Sequence, residues 1–402
     1  MSLNDSHKKE HVLLYKVLYS VIIVAIYILG INIPLYGVDT EANRNMQIDA
    51  QQILKQTLNG DIRNTSVFSL GLWPYMMASM AVMLIVAILS IDKTRKVFPR
   101  KISKATIILT LIFASMQAYT NIRGFTYTSS EYLFFTKLIV YLEMITGMFL
   151  VIFLCERMGK YGIGGRTTVF VINVFDGFLS MLDGMGIEQI LLPAAIGIVE
   201  MAIMMFMETK EKRIPVQRVS INNIYADKDY IAYKFNPVGV MPIMFASVAF
   251  ILPQSVSSFL TEILPGNPLV SYIAENMVLT KPLGILVYMA VIVILNVSFS
   301  FIMLSPGVTA DNLLKAGDSI LDVYAGRQTK RYLIRTILTL SLISSLVMAL
   351  CQGVPLFLQF NGVVEEKLAM LPSSVMMLTG MWISIHREAK VYRNVDRYKL
   401  LV

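Results

Sequence analysis

The chain has 402 residues, of which 55% are hydrophobic and only 15% are charged, and its net charge is +8. Soluble domains carry about 25% charged residues, so this composition excludes an ordinary soluble protein with a single core surrounded by water. It indicates a membrane protein with many spans, because apolar runs of about 20 residues, the length that crosses a bilayer, recur along the whole chain.

Ten apolar segments are predicted to be membrane-spanning helices. They cover approximately residues 12–36, 68–91, 102–121, 133–155, 167–182, 189–208, 237–260, 283–304, 333–353 and 368–386. The residues before the first segment are polar and charged, and no small-residue cleavage site follows that segment. We therefore expect the first span to remain in the mature protein and not to act as a removable signal peptide.

The distribution of Lys and Arg between the loops predicts the orientation of the spans. With a cytoplasmic N-terminus, 28 of the 35 basic residues fall in cytoplasmic segments and 7 fall in external ones. Cytoplasmic loops carry an excess of Lys and Arg. Both termini are therefore predicted to be cytoplasmic, which requires an even number of spans.

Ten spans divide into two halves of five, residues 1–186 and residues 187–402. Since five is odd, the second half begins on the opposite side of the membrane, and the halves are predicted to form an inverted, pseudo-symmetric pair. Such pairs occur in secondary transporters as well as in protein channels, so the architecture leaves both open. The segments of about 209–235 and 305–332 are predicted cytoplasmic loops of the second half.

No motif of enzyme chemistry is visible. Cys155 and Cys351 lie beside or within apolar spans without metal-ligand spacing, so neither a disulfide framework nor a zinc site is expected. His7, His11 and His386 have no partner ligands nearby in the sequence. A Gly-rich phosphate loop, a Ser/His/Asp set and an H-E-x-x-H motif are all missing. We expect no catalytic residue, no metal, no cofactor and no enzymatic activity.

Four stretches, in chain order, resemble motifs of the SecY family of protein translocation channels. They are Tyr27–Gly37 at the end of the first span, Ser66–Ser79 at the start of the second, Arg213–Arg218 with Phe235–Ser247, and Asp311–Gly317 with Gln328–Leu333. The resemblance implies an all-α channel with a plug segment at about residues 50–66. It also implies that unfolded secretory polypeptides cross the bacterial cytoplasmic membrane through it, driven by a SecA-type ATPase motor and assisted by small SecE- and SecG-like subunits.

Two departures from the family pattern resemble its accessory branch in streptococci and staphylococci. Residues 324–326 read Tyr-Ala-Gly where ordinary members carry Arg-Pro-Gly, and residues 58–64 lack the paired glycines of the plug. In that branch the channel works with a dedicated SecA-type motor to export large serine-rich, glycosylated adhesins. The altered loop at Tyr324 implies an altered contact with the motor.

The resemblance places the narrow waist of the channel at seven apolar residues. They are Leu72, Met76, Val171, Phe175, Met244, Val248 and Met377. Six of them form i,i+4 pairs, which share one face of a helix. A narrow apolar ring excludes water and ions, and flexible methionines deform around a passing chain. The alternative is that these methionines only fill gaps between helices.

Polar residues within spans are a second candidate set. The resemblance places them near a lateral opening between the second and third helices and the seventh and eighth: Gln117, Asn173, Ser247 and Asn296. A hydrogen bond across that seam would hold the gate shut. The alternative is that buried amides tie neighbouring helices together, at about 1 kcal/mol or less each.

Basic residues in the two long cytoplasmic loops are predicted to contact the motor. They are Lys210, Lys212, Arg213, Arg218, Lys315, Arg327, Lys330 and Arg331. Positive loops suit an acidic motor surface, although positive charge also fixes orientation in the membrane. We expect no nucleic-acid partner, because no aromatic residues interleave with these charges as stacking platforms.

Three acidic residues within spans support a different class of function. Intramembrane carboxylates usually mark a functional site, and Glu143, Asp176 and Glu200 would form the relay of a proton-coupled transporter. In a translocase they would face the aqueous funnel or pair with a neighbouring helix. A secondary transporter of a small solute and a polysaccharide flippase therefore stay open as alternatives.

Overall fold

The computed structural model describes residues 12–39, 65–91, 99–128, 133–218, 230–247, 249–250, 272 and 276–399. The first elements in these ranges are α1 (Val12–Ile31), α2 (Trp73–Ile91), α3 (Pro99–Gly124), α4 (Leu133–Tyr161), α5 (Arg166–Leu182) and α6 (Ile187–Thr209). Strands β1 (Glu211–Arg218) and β2 (Tyr230–Lys234) follow, and then α7, of which residues 241–247 and 249–250 are described. The last elements are α8 (Pro282–Leu304), α9 (Pro306–Ala316), β3 (Asp318–Ile320), α10 (Arg327–Phe360), a 3-10 turn (Glu366–Leu368) and α11 (Leu371–Lys399).

The helices agree with the predicted spans. Helices α1 to α8, α10 and α11 coincide in order, wholly or in part, with the ten predicted segments. Among the described residues, seven helical segments are long and apolar enough to cross a membrane: Val12–Ile31, Arg100–Gly124, Leu133–Tyr161, Ile187–Thr209, Pro282–Ala316, Arg327–Phe360 and Glu366–Asn394. The prediction of an all-α membrane protein is confirmed. The division at residue 186 stays a prediction.

A small sheet that the sequence did not predict joins the two long loops. Strand β1 is central and pairs antiparallel with β2, with Glu211 opposite Lys234. It also pairs antiparallel with β3, with Val216 opposite Ile320. Ile214 and Ile320 pack with Leu333 of α10 in a separate apolar cluster. The segments 209–235 and 305–332 are therefore one structural unit, although residues 219–229 lie outside the described residues.

The main apolar core lies where the helices meet. Its buried residues come from α1, α2, α4, α5, α6, α7, α8, α10 and α11, together with the segments that lead into α2, α7, α8 and α11. A second cluster holds α3 and α4 together with the segments that follow α1 and precede α2. The exposed faces of the helices are also apolar: Leu29 of α1 and Phe134 of α4 are exposed. A protein that is apolar both inside and outside fits a bilayer as its solvent.

Close approach at a glycine positions the segment that leads into α2. A Cβ at Gly147 of α4 would lie 2.0 Å from the main-chain oxygen of Val67. Only glycine leaves room for the backbone of that segment against α4. Of the predicted plug at about residues 50–66, Thr65 and Ser66 lie within the described residues.

Candidate functional site

The structure brings most of the predicted waist residues into one cluster. Leu72, Met76, Met244 and Met377 are all buried in the main core. They come from α2 and the turn before it, from α7 and from α11. Val171 of α5 is partly buried and packs against the same cluster. Four helices therefore contribute predicted waist residues to one apolar core in the interior of the chain.

One described member of the predicted ring is not in this cluster, and another member cannot be placed. Phe175 is 51% exposed. The buried stripe of α5 runs through Phe170, Asn173, Val174, Gly177 and Met181. Phe175 follows Val174 by one residue and so lies about 100° further round the helix. Val248 lies outside the described residues. The complete ring stays a prediction.

The turn before α2 fixes the position of Leu72 and Met76. The main-chain N–H of Val67 donates to the oxygen of Ile33 at 3.0 Å, which attaches this segment to the end of α1. Gly71 has a φ of 51°, and its N–H donates to Phe68 at 2.8 Å. A φ in the left-handed region favours glycine, which is why the chain turns into α2 at this residue.

The start of α7 is fixed in a similar way. Gly239 has a φ of 76°, and it exchanges two hydrogen bonds with the side chain of Asn236, of 2.9 and 3.2 Å. A Cβ at Gly380 of α11 would lie 1.9 Å from Cγ2 of Val240. Helix α11 therefore runs close against the start of α7. Met377, one turn before Gly380, and Met244 consequently belong to the same core.

Three of the predicted gate residues form hydrogen bonds to neighbouring helices. The hydroxyl of Tyr27 in α1 donates to Oδ1 of Asn173 in α5 at 2.7 Å. The hydroxyls of Ser247 and Tyr288 lie 3.3 Å apart and join α7 to α8.

The amide of Asn296 donates to Ser344 Oγ at 3.1 Å and joins α8 to α10. The fourth residue, Gln117 on α3, has a buried Oε1 without a partner among the described residues. The observed bonds tie neighbouring helices together, and a gating role for these residues stays a prediction.

The three acidic residues lie in different environments. Oε2 of Glu143 accepts the main-chain N–H of Tyr36 at 3.0 Å, which attaches the segment after α1 to α4. Asp176 is exposed on α5. Glu200 of α6 is 3% exposed, and neither of its carboxylate oxygens has a partner within the described ranges. They lie on three different helices, α4, α5 and α6.

The basic residues of the predicted motor contact lie around the sheet. Lys210, Lys212, Arg213, Lys315, Arg327 and Arg331 are exposed, and Lys330 is partly exposed. The backbone of Arg218 pairs with Asp318 across β1 and β3. Tyr324, at the altered loop position, is 80% exposed. Because β1 pairs with β3, the two basic loops form one surface.

One aromatic residue lies among the basic residues of this surface. The expectation that no aromatic residue serves there as a stacking platform stays a prediction. The structure places the guanidinium of Arg213 4.7 Å from the ring centre of Tyr230, on the neighbouring strand. Cross-strand pairing brings these residues together, and the ring face is covered by arginine.

Sequence reasoning missed a charged cluster at the junction of α6, β2 and α11. The carboxylate of Glu208 is 7% exposed and lies 3.0 Å from Arg387 and 3.5 Å from Lys234. The three residues are far apart in the sequence, so their spacing gave no signal. Within the described parts of the chain, no group of His, Cys, Asp and Glu residues is arranged to hold a metal ion.

Comparison with known proteins gives matches along most of the chain. A family model described as SecY matches residues 66–386. The accessory Sec system protein translocase subunit SecY2 of Leuconostoc gelidum subsp. gasicomitatum is 27% identical over 97% of both chains. The subunit of the same name from Streptococcus agalactiae is 26% identical over 97% of this chain and 96% of its own. A solved structure of a protein conducting channel is similar with a TM-score of 0.68, at 17% identity, over 95% of this chain and 93% of that one.

Proposed function

Because this chain belongs to the SecY family, we propose that it is the channel subunit of a protein translocase. It moves unfolded secretory polypeptides outward across the cytoplasmic membrane of a bacterium. Relatives named as accessory Sec translocase subunits, which align over nearly their whole length, support the accessory branch. In that branch the substrates are large serine-rich, glycosylated adhesins.

The methionine-rich cluster in the interior is the observation that carries this function. Leu72, Met76, Met244 and Met377 are buried in one apolar core to which three helices contribute them. A narrow apolar contact resists the passage of hydrated ions. Methionine side chains are unbranched and polarisable, so they repack around a passing chain. Val171, Phe175 and Val248 complete the ring in this proposal, and residues 50–66 plug it.

The energy for translocation comes from a separate ATPase. The basic surface formed by β1, β2, β3 and the start of α10 docks a SecA-type motor, and the channel itself hydrolyses nothing. Exposed charges of one sign accelerate association with an acidic partner. The exposed Tyr324 replaces the usual arginine of the family at this surface and selects a dedicated motor.

The apolar outer faces of the helices contact lipid and small SecE- and SecG-like subunits. Both termini and the sheet lie in the cytoplasm, as the excess of basic residues in these segments favours. The halves 1–186 and 187–402 move relative to each other when the lateral gate opens. Four polar residues at this gate set the stability of its closed state: Gln117, Asn173, Ser247 and Asn296.

A transporter of a small solute is not favoured. Its relay would need acidic residues that exchange protons along a path, whereas Glu143 holds a backbone N–H. Glu200 is buried without a partner within the described residues. Family membership also supports a protein channel over a transporter or a flippase.

Reconstitution tests the proposal. The purified chain is placed in vesicles with its small subunits, a SecA-type motor and a serine-rich precursor. The precursor is expected to become resistant to protease only when both motor and ATP are present. Detergent must abolish the protection. Protection without ATP, or uptake of a solute without a motor, would contradict the proposal.

A further inference from the structure

Two consecutive residues of α11 contact two separate segments of the chain. Arg387 donates from Nη1 to Oε2 of Glu208 at 3.0 Å and from Nη2 to the main-chain oxygen of the same residue. Oε2 of Glu388 accepts the main-chain N–H of Gly164 at 2.9 Å. Successive residues of a helix point about 100° apart. A single turn of α11 therefore reaches both the end of α6, from which the β1–β2 hairpin continues, and the turn between α4 and α5.

Glu208 lies at the base of the hairpin. It belongs to the last turn of α6, directly before β1, and Nζ of Lys234, the last residue of β2, lies 3.5 Å from its carboxylate. The N–H of Phe235 donates to the oxygen of Lys210 at 3.1 Å, which closes the base. A carboxylate that is almost completely buried needs compensating charge, and here two cations provide it.

Arg387 is suited to fix the direction in which the hairpin leaves α6. The last four carbonyl groups of a helix have no partner within the helix, and Glu208 contributes one of them. A cation at a helix C-terminus is also stabilised by the helix dipole. The planar guanidinium binds the carboxylate and the carbonyl together, which the single ammonium of lysine does less well.

The base of the hairpin continues into α7. A Cβ at Gly239 would lie 2.9 Å from Oε1 of Glu208. The side chain of Asn236 donates a hydrogen bond to the main-chain oxygen of Gly239 and accepts one from its N–H. The segment that leads into α7, which carries Met244, therefore packs directly against Glu208.

The turn between α4 and α5 is held from two sides. The N–H of Ile163 donates to Ser20 of α1 at 2.8 Å, and Nζ of Lys16 donates to the oxygen of Gly162 at 3.2 Å. The same ammonium lies 4.4 Å from the ring centre of Tyr392 in α11. Glu388 adds the contact to Gly164, whose φ of 78° keeps the turn tight. The turn is therefore attached to both α1 and α11.

We propose that Arg387 and Glu388 are positioning residues that couple the β1–β2 hairpin to the α4–α5 turn. When the motor pushes on the hairpin, the displacement reaches the start of α7 through Glu208 and reaches α1, α4 and α5 through α11. The coupling rests on the proposed function, in which the hairpin is the docking site of the motor.

Hydrogen exchange of the complete chain in lipid nanodiscs, without a motor, tests the coupling itself. In R387A, exchange is expected to rise at least threefold in the hairpin and also in residues 162–168. In E388A the same two segments are expected to change. K390A, at an exposed residue of the same helix, serves as the matched control. If each variant changes only the segment that it bonds directly, the coupling is refuted.

Translocation of a precursor into vesicles tests the role of this coupling in transport. R387A and E388A are expected to translocate a precursor at least fivefold more slowly, while their affinity for the motor stays within twofold of the wild type. R387K is expected to be intermediate, and E388Q, which keeps an acceptor oxygen, to retain most of the rate. A loss of motor affinity equal to the loss of rate would overturn the proposal, because the residues would then serve docking alone. If the wild type itself does not translocate, the proposed function fails, and the exchange experiment still decides the coupling.

Discussion

At the scale of the residue, the interior of this protein is filled by flexible side chains. Met76, Met244 and Met377 are buried beside Leu72 in the main core. A rigid branched residue would fill the same space, but it would not repack without strain. The use of methionine at this contact is therefore consistent with a seal that must open and close again.

Truncation of these methionines is expected to make the channel leak. M76A and M244A each remove part of the apolar contact and admit water, so ion conductance should rise for each single variant and rise further for the double variant. Conductance in planar bilayers measures this.

M144A is the matched control for that experiment, because Met144 is equally buried but belongs to the cluster between α3 and α4. If M144A leaks as much as M244A, the leak reflects general loosening of the bundle and the seal lies elsewhere.

At the scale of the element, the segments around each helix decide where its residues lie. The approach to α2 depends on the backbone contact at Gly147, and the start of α7 depends on Gly239 and Asn236. The position of strand β1 depends on its pairing with two neighbouring strands, β2 and β3, one from each long loop. Each of these elements consequently responds to changes in a segment distant in sequence.

Replacement of Gly147 is expected to destabilise the fold. A Cβ there would lie 2.0 Å from the oxygen of Val67, so G147A forces the backbone apart, at a cost of roughly 1–3 kcal/mol. Thermal unfolding in detergent should show a lower Tm.

G124A is the control for this change, since a Cβ at Gly124 meets no atom within 4 Å. It is expected to leave the Tm unchanged or to raise it. Equal Tm values for G147A and the wild type would show that the segment before α2 does not pack against α4 as described.

Charge reversal on the sheet is expected to weaken motor binding. R213E and R327E change exposed residues of the two joined loops, so the motor should bind more slowly while the fold stays intact. The association rate is measured by surface plasmon resonance at low and high salt. The effect should shrink as salt screens the charges. Unchanged association at low salt would mean that these residues serve orientation alone.

At the scale of the whole molecule, the chain is a bundle of helices with a single sheet in its described residues. The sheet packs on the start of α10, and the basic residues lie around it. The segment between α10 and α11 lies at the opposite end of α10. The basic surface around the sheet and the segment before α11 therefore lie at opposite ends of α10.

The orientation is testable by cysteine labelling. In a chain whose Cys155 and Cys351 are replaced, a cysteine in place of Ala325 is expected to resist a membrane-impermeant reagent added outside whole cells. A cysteine in place of Asn361 is expected to react, because both residues are exposed but lie at opposite ends of α10. Both must react after the cells are permeabilised. The reverse pattern would overturn the orientation.

The sequence by itself determined that this protein lies in a lipid bilayer, that it is built of helices, and to which family it belongs. Long apolar runs leave few alternatives to membrane spans, since every backbone group must be satisfied within the bilayer. Four motifs in order were enough for the resemblance to SecY. Helix boundaries followed from the same runs only in part: α8 starts within one residue of its prediction, whereas α10 extends beyond the predicted 333–353 at both ends.

Only the tertiary structure decided which distant residues meet. The pairing of β1 with β3, the contact of Arg213 with Tyr230 and the charged cluster around Glu208 join segments whose periodicity carries no information about each other. The exposure of Phe175 is a similar case, because an i,i+4 spacing specifies a shared helix face but not what that face contacts. Packing between helices sets that contact, and it depends on glycines and loops elsewhere in the chain.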